Sequence, residues 1–366
     1  MNFDYNEEQQ LLADSVRRFI QKDYDFEARK KFVASAEGYS EKVWGAFSEM
    51  GLTGIPFSPD HGGFGGGAVD LLSVMEAFGE GLVVEPFLPT LLGARCVAQA
   101  GSDAQKKAIL PAVVEGKLKM ALALSEKGAR YDLAPVAVTA KKAGSAWTLE
   151  GEKVVVLGAP AAVKIVVSAK APAGPSLFLV DAKSVKLKPY RTLDEMRAAD
   201  VVLSGTAGEL LGAEGKALAV IEEAVDFATA LVCAEAVGAM KFSCDSTLEY
   251  LKTRKQFGVP IGTFQALQHR MVDMVVAYEQ ARSMACLACS RVDGAADARE
   301  RARAVSAAKI KIADNARLIS QEAIQLHGGM GMSEELKVSH SFRRLTIIAQ
   351  QFGDADHHLD RYAQLG

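Results

Sequence analysis

The chain has 366 residues, 49% of them hydrophobic and 24% charged, with a formal net charge of −3, which is enough for two or three domains with real cores. The near-neutral balance argues against a nucleic-acid partner, which would call for a basic stripe, and no apolar run approaches the roughly 18 residues of a membrane span. The acidic string Met1 to Glu8 has no signal-peptide core, and five cysteines, an odd and sparse set, indicate a reducing cytoplasm.

Residues 1 to 117 read as helical. Asn6 can cap a helix with apolar positions at Leu11, Leu12, Val16, Phe19 and Ile20. Further helices are expected from about Ser40 to Met50 and from Val69 to Gly79, then shorter ones stopped by Pro86, Pro89 and Pro111. From Met120 to Ser204 the texture changes to short Val-rich runs separated by Gly and Pro. The runs are 136–139, 147–149, 153–157, 164–168, 177–180 and 201–203. Short strands without intervening helices indicate an antiparallel β-domain, a small barrel or sandwich. From Gly215 the chain reads as helical over 216–251, 263–291, 296–327 and 334–351. Helices of that length form a four-helix bundle. The fold class is therefore α+β, with a helical domain over 1–117, a β-domain over 118–212 and a bundle over 213–366.

Between the first two bundle helices lies Arg254-Lys255-Gln256-Phe257-Gly258-Val259-Pro260-Ile261-Gly262-Thr263-Phe264-Gln265. Gly258, Pro260 and Gly262 break the helix, and Thr263 is placed to cap the next one. A guanidinium, an aromatic face and a carboxamide close together suit a bulky anionic ligand; a plain solvated turn is the other reading. After the third bundle helix comes Gln325-Leu326-His327-Gly328-Gly329-Met330-Gly331. A bare Gly-Gly pair lets backbone N–H groups approach a phosphate, or simply ends a helix. Three other strings carry less. Gly62-Gly63-Phe64-Gly65-Gly66-Gly67-Ala68 contains G-x-G-x-x-A, but its flanks are helical, so a flexible loop is expected. Cys286-Leu287-Ala288-Cys289 has no second pair for zinc. Asp354-Ala355-Asp356-His357-His358 has metal-ligand residue types, but in a last-turn region where such groups are usually solvated, so no metal is expected.

Taken together, the Arg254-to-Gln265 string, the Gln325-to-Gly331 string and the helical–β–helical order resemble the acyl-CoA dehydrogenase family over the whole length. The resemblance implies bound FAD and dehydrogenation of an acyl-CoA thioester between its α and β carbons. A carboxylate takes the α proton and flavin N5 the β hydride, and electrons leave to an electron-transferring flavoprotein. It places Arg254, Gln256, Phe257 and Gln265, with Gln325, Gly328 and Gly329, on the adenosine-pyrophosphate half of an FAD seated in the neighbouring subunit. Leu124 and Ser125 correspond more weakly to the flavin-ring end.

The departures from the family pattern concern the chemistry itself. Where family members carry a Tyr-Glu-Gly-Thr-like string, this chain has Gln351-Phe352-Gly353-Asp354, and Phe352 replaces the basic Glu. A subgroup carries its Glu in Asp-x-Glu-Arg; here the string is Asp226-Phe227-Ala228-Thr229, so Ala228 replaces the carboxylate and Thr229 a CoA-binding Arg. The Thr-Glu-Pro-Gly-x-Gly-Ser-Asp-like string appears as Ser125 to Asp132, and Val155-Val156-Leu157-Gly158 stands for Trp-x-Thr/Ser-Asn. Within the family the chain is most similar to the pimeloyl-CoA dehydrogenase small-subunit-like group. The resemblance thus implies a base-lacking subunit of a cytoplasmic α2β2 enzyme. Two readings stay open beside it: a self-sufficient homo-oligomer with a relocated carboxylate (Asp354, or Asp226 or Glu235), and a non-catalytic scaffold.

Overall fold

A computed structural model describes residues 6–134, 136–144 and 146–366; the string Met1 to Tyr5, read above as part of an acidic N-terminus, lies outside them. The helices of the first third are α1 (Glu7–Asp23), α2 (Phe26–Ala34), α3 (Glu41–Glu49), α4 (Ala68–Gly81), α5 (Phe87–Ala100) and α6 (Asp103–Val114). Seven strands follow: β1 (Met120–Ala123), β2 (Thr139–Ala143), β3 (Ala146–Leu157), β4 (Lys164–Ala171), β5 (Gly174–Asp181), β6 (Lys186–Arg191) and β7 (Arg197–Leu211). Then come α7 (Ala217–Thr253), the two-residue strands β8 (Lys255–Gln256) and β9 (Val259–Pro260), α8 (Gln265–Gly294), α9 (Ala298–His327), α10 (Lys337–Gln350) and α11 (Ala355–Gln364).

The chain separates into two compact units. One holds the residues up to Lys30, Gly67–Val83 and Thr229–Gly366; the other holds Lys31–Gly66 and Val84–Ala228. In the first unit, Asn6 caps α1 as expected, in a reciprocal box with Gln9. The α4 and α7 backbones approach closely. A Cβ on Gly79 would lie 1.9 Å from the Glu235 carbonyl oxygen, and one on Gly238 1.8 Å from that of Glu76. Glycine is required at both positions of that crossing. Asp293, at the end of α8, accepts the Ala68 and Val69 N–H groups and so satisfies the first turn of α4.

In the second unit, β3 pairs antiparallel with β2 and β7, and β7 with β5 and β6. β5 pairs with β4, and a single residue pair between β2 and β4 closes the ring. The result is a small barrel filled by Trp147, Leu149, Ile165, Val167, Phe178 and Val201. The pairing is not wholly antiparallel, because β1 and β2 both run parallel to β4. The expected runs 147–149 and 153–157 are one strand, β3, interrupted by bulges.

Two proline expectations are corrected. Pro89 sits in the first turn of α5, where its missing N–H has no intrahelical acceptor to lose. Pro111 lies inside α6, near its end. Only Pro86 bounds a helix, as the residue before α5. The Gly62–Gly66 loop is not loose either. Phe64, Gly65 and Gly66 donate their N–H groups to Gly54, Phe57 and Ile55, so those donors serve the loop itself and offer nothing to a nucleotide.

Candidate functional site

The last turn of α7 delivers Arg254, whose N–H donates to the Tyr250 carbonyl. Two register pairs, Lys255 with Pro260 and Gln256 with Val259, then form a tight hairpin. Its tip, Phe257-Gly258, has φ of +55° and +79°. Two successive positive φ values suit an Asn-Gly turn, so Phe is held there at a cost of ~1 kcal/mol or more. Phe257 is 90% exposed, and its ring meets that of Phe264 edge-on. A strained aromatic kept in solvent buries little of its face on folding; it is presented outward. Thr263 does not cap α8: its hydroxyl donates to the Pro260 carbonyl, and Phe264 occupies the cap position. Arg254, Gln256 and Gln265 are exposed.

The second turn ends α9. Gly328 has φ +62°, and Gln325, Gly328 and Gly329 are exposed. A Cβ on Gly328 or Gly329 would meet nothing of this chain within 4 Å. Their bare backbone is therefore open to an approaching group, not needed for internal packing. Gly331 is the contrast, since a Cβ there would lie 2.6 Å from the Ile324 carbonyl oxygen. Both turns belong to the same unit. Arg270 of α8 pairs with Glu322 of α9 at 2.6 Å, and Tyr250 stacks on His327. An apolar stripe on α8, formed by Val272, Val275 and Val276, is also exposed.

The positions where a base is sought are occupied otherwise. Ala228 and Thr229 are fully buried. Phe352 has φ +60° and lies in a clamped turn between α10 and α11. The Lys309 ammonium donates to the carbonyls of Ile348, Ala349 and Gly353. Burial lowers its pKa to about 8, against the pull of Cys233 and Asp354. His358, expected among solvated residues, is 1% exposed. It lies 3.0 Å from the Phe352 carbonyl oxygen and 3.2 Å from the Ser306 hydroxyl. Asp354 accepts the His357 N–H as the cap of α11. Glu235 is held by two hydrogen bonds from Arg344, both side chains being less than a tenth exposed. Asp226 is fully buried. Among the described residues, no group of three His, Cys, Asp or Glu side chains could hold a metal ion.

Leu124 and Ser125 belong to the other unit. The Leu124 carbonyl accepts a hydrogen bond from Lys153, which also reaches Glu126 at 2.6 Å and Ser168 at 2.8 Å. Burial lowers the Lys153 pKa to about 8 against the Glu126 attraction. Burial pushes Glu126 up, but hydrogen bonds from Lys153, Ala137 and Val138 outweigh it and hold the carboxyl below its ordinary range. The pair is charged at neutral pH. Two residues on, Val155 sits in a bulge at φ +53°, its N–H shared between the Tyr190 hydroxyl and Asp200. A β-branched residue is a rare occupant of that conformation. The bulge aims position 155 outward, where this chain presents a half-exposed valine.

Sequence reasoning missed the buried ionic groups. Lys153 interrupts a Val-rich strand, and Lys309 falls on the apolar stripe of α9 between Val305 and Ile312. A lysine on a core face is the signal that could have found both.

Models of the acyl-CoA dehydrogenase N-terminal, middle and C-terminal domains match residues 6–117, 121–204 and 215–364. The chain belongs to the acyl-CoA dehydrogenase family. Acyl-CoA dehydrogenase FadE12 of Mycobacterium tuberculosis is 30% identical over 354 residues, covering 92% of this chain and 90% of that protein. Among solved structures, the Tcur3481-Tcur3483 steroid ACAD G363A variant gives a TM-score of 0.89 at 29% identity, covering 98% of this chain and 97% of that one. PigA with FAD and proline gives 0.90 at 26% identity, covering 100% and 98%. The chain has the fold of this oxidoreductase family, whose members act on CH–CH bonds. No described helix is long and apolar enough to cross a membrane.

Proposed function

We propose that this chain is the base-lacking subunit of a heteromeric, FAD-linked acyl-CoA dehydrogenase, and that it clamps the adenosine-pyrophosphate half of an FAD whose ring is housed by a sibling subunit. The observation that carries this reading is the turn between α10 and α11. That turn is held by Lys309 and His358 and carries Phe352, whose side chain has no proton-accepting group.

The residues present fit one half of the cofactor. Arg254 supplies a charged fork for phosphate oxygens, Gly328-Gly329 an unobstructed backbone, Gln325 and Gln265 carboxamides, and Phe257 a stacking face. The other half is not built here, because Val155 and Leu157 offer neither an aromatic wall nor a hydroxyl. When bound, FAD supplies the hydride acceptor of the dehydrogenation. Outward presentation of Phe257 and of the α8 valines supports an intersubunit location. The steroid ACAD similar to this chain carries the paired designation Tcur3481-Tcur3483, which accords with a two-component enzyme. The pimeloyl-CoA-type resemblance suggests a dicarboxylyl or other medium-chain thioester, bound mainly by the sibling because Thr229 lacks the CoA-binding guanidinium. Electrons pass to an electron-transferring flavoprotein.

The relocated-base reading is disfavoured because each candidate carboxylate is otherwise engaged or enclosed. Asp354 caps a helix, Glu235 is paired with Arg344, and Asp226 is fully buried. The scaffold reading leaves the outward-facing Phe257 and the bare Gly328-Gly329 without a purpose. The test is co-expression with a sibling dehydrogenase, counting FAD per chain. One FAD per pair of unlike chains, lost with Arg254→Ala, is the expected result. A homo-oligomer of this chain alone, with one FAD per chain and full turnover, sinks the proposal.

A further inference from the structure

Arg254 and Gly328 are separated in sequence by the whole of α8 and α9, yet a single diphosphate can be gripped only if both turns are held in register. Tyr250 lies one helical turn before Arg254, and its carbonyl accepts the Arg254 N–H at 2.8 Å. His327 immediately precedes Gly328. The two rings stack with centroids 4.4 Å apart and planes at 27°. His327 is 4% exposed, and its Nδ1 lies 2.8 Å from the Ala323 carbonyl oxygen. A carbonyl only accepts, so Nδ1 carries the proton, and burial holds the imidazole below its ordinary pKa. The ring is therefore neutral and has one orientation. A Cβ on Gly331 would approach within 3.0 Å of the His327 Cβ, so the turn beyond packs against the same residue. The Arg270–Glu322 pair also joins α8 to α9, but it is partly exposed and correspondingly weaker.

We propose that Tyr250 and His327 are positioning residues whose stack couples the Arg254 hairpin to the Gly328–Gly329 turn, so that the two bind the diphosphate of FAD as one site. The proposal rests on the FAD reading above and adds to it the part that makes two distant loops cooperate. Both residues act through the backbone they order: Tyr250 through the Arg254 amide, His327 through the start of the glycine turn. Disturbing the stack then weakens cofactor binding although every phosphate donor is still present.

The test uses the purified oligomer, with its sibling where one co-purifies. FAD affinity is read from flavin fluorescence after deflavination, with ADP as competitor. Tyr250→Leu and His327→Leu are each expected to weaken FAD about tenfold, and the double variant no further than either single one, because one coupling is lost once. Tyr250→Phe keeps the stack and is expected to keep wild-type affinity. A merely structural role would lower the melting temperature of the flavin-free protein and leave the dissociation constant of the folded fraction unchanged. Should Tyr250→Leu fail to fold, His327→Leu carries the test. Wild-type affinity in the leucine variants overturns the coupling. Arg254→Ala separates the two layers: lost FAD there with unchanged affinity at Tyr250 and His327 defeats only the coupling, whereas unchanged affinity at Arg254 as well defeats the FAD reading itself.

Discussion

His358 Nε2 lies 3.0 Å from the carbonyl oxygen of Phe352. Because a carbonyl can only accept, Nε2 carries the proton and Nδ1 accepts from the Ser306 hydroxyl. Phe352 is thus held by a neutral, buried imidazole. Lys309 donates to the next carbonyl, that of Gly353. Two side chains, Lys309 and His358, thus hydrogen-bond the backbone of one turn. The turn joins α10 to α11, and within it Asp354 is engaged as the cap of α11.

Acid should loosen this turn. Burial, then Lys309 and His357, bring the His358 pKa to about 3, with Arg361 acting the same way. The unfolded value is near 6.5, so the unfolded chain binds the proton first. The stability that depends on neutral His358 is complete above pH 6.5 and declines as pH falls toward 3, by up to about 1.4 kcal/mol per unit. His327 contributes with the same sign. Denaturation curves at pH 7.5 and 5 should differ less in His358→Gln than in the wild type. An equal pH dependence in both would show that His358 does not carry the effect.

Gly353 is expected to tolerate no side chain. It has φ +116°, and a Cβ there would stand 2.5 Å from His358 Nε2 and 2.6 Å from His357 Cδ2. Gly353→Ala must strain the backbone and displace the imidazole, at a cost of about 2–3 kcal/mol. The measurement is urea denaturation of the purified chain. Gly328→Ala is the control for backbone strain alone, since its Cβ would meet nothing, and it should cost about 1 kcal/mol.

The buried Lys153–Glu126 pair should behave asymmetrically. Removing one partner leaves an uncompensated charge in the barrel, so Lys153→Met and Glu126→Gln should each cost about 3–5 kcal/mol. Removing both should recover a substantial part of that loss, because no lone charge then stays buried. Strict additivity in the double variant would mean that the two side chains act separately.

Much of this architecture was legible because its signals are local and long. The bundle helices show sustained apolar periodicity without proline, and Asn6, expected to cap α1, does so. Other elements escaped, α11 and the β8–β9 hairpin among them, and three show why. β1 is Met-Ala-Leu-Ala, with little β-propensity, and takes its place only by pairing with β4. β6 is polar, contains Pro189, and lies off the main path of the sheet beside β7. α2 has a weak apolar face and is fixed through Phe26 and Arg29, which meet His340 across more than 300 residues. The exposed phosphate-type donors could be named from their residue types alone. The Tyr250–His327 stack and the Lys309 clamp could not, because each joins residues far apart in the chain.

Glu235 provides the sharpest separation between the shared-site and relocated-base readings. Arg344 meets both of its carboxylate oxygens at 2.6 Å, in a region where neither side chain is more than a tenth exposed. Both carboxylate oxygens are thereby occupied by one guanidinium, and neutralising the acid would leave the arginine buried without its counter-ion. Glu235→Gln should therefore cost about 3 kcal/mol of folding stability and leave dehydrogenation per folded heteromer unchanged within about twofold. Loss of a true general base would lower the rate by roughly 10²–10⁴. Steady-state turnover normalised to bound FAD distinguishes the two outcomes. A hundredfold loss in Glu235→Gln at unchanged stability would return the proton-accepting role to this chain.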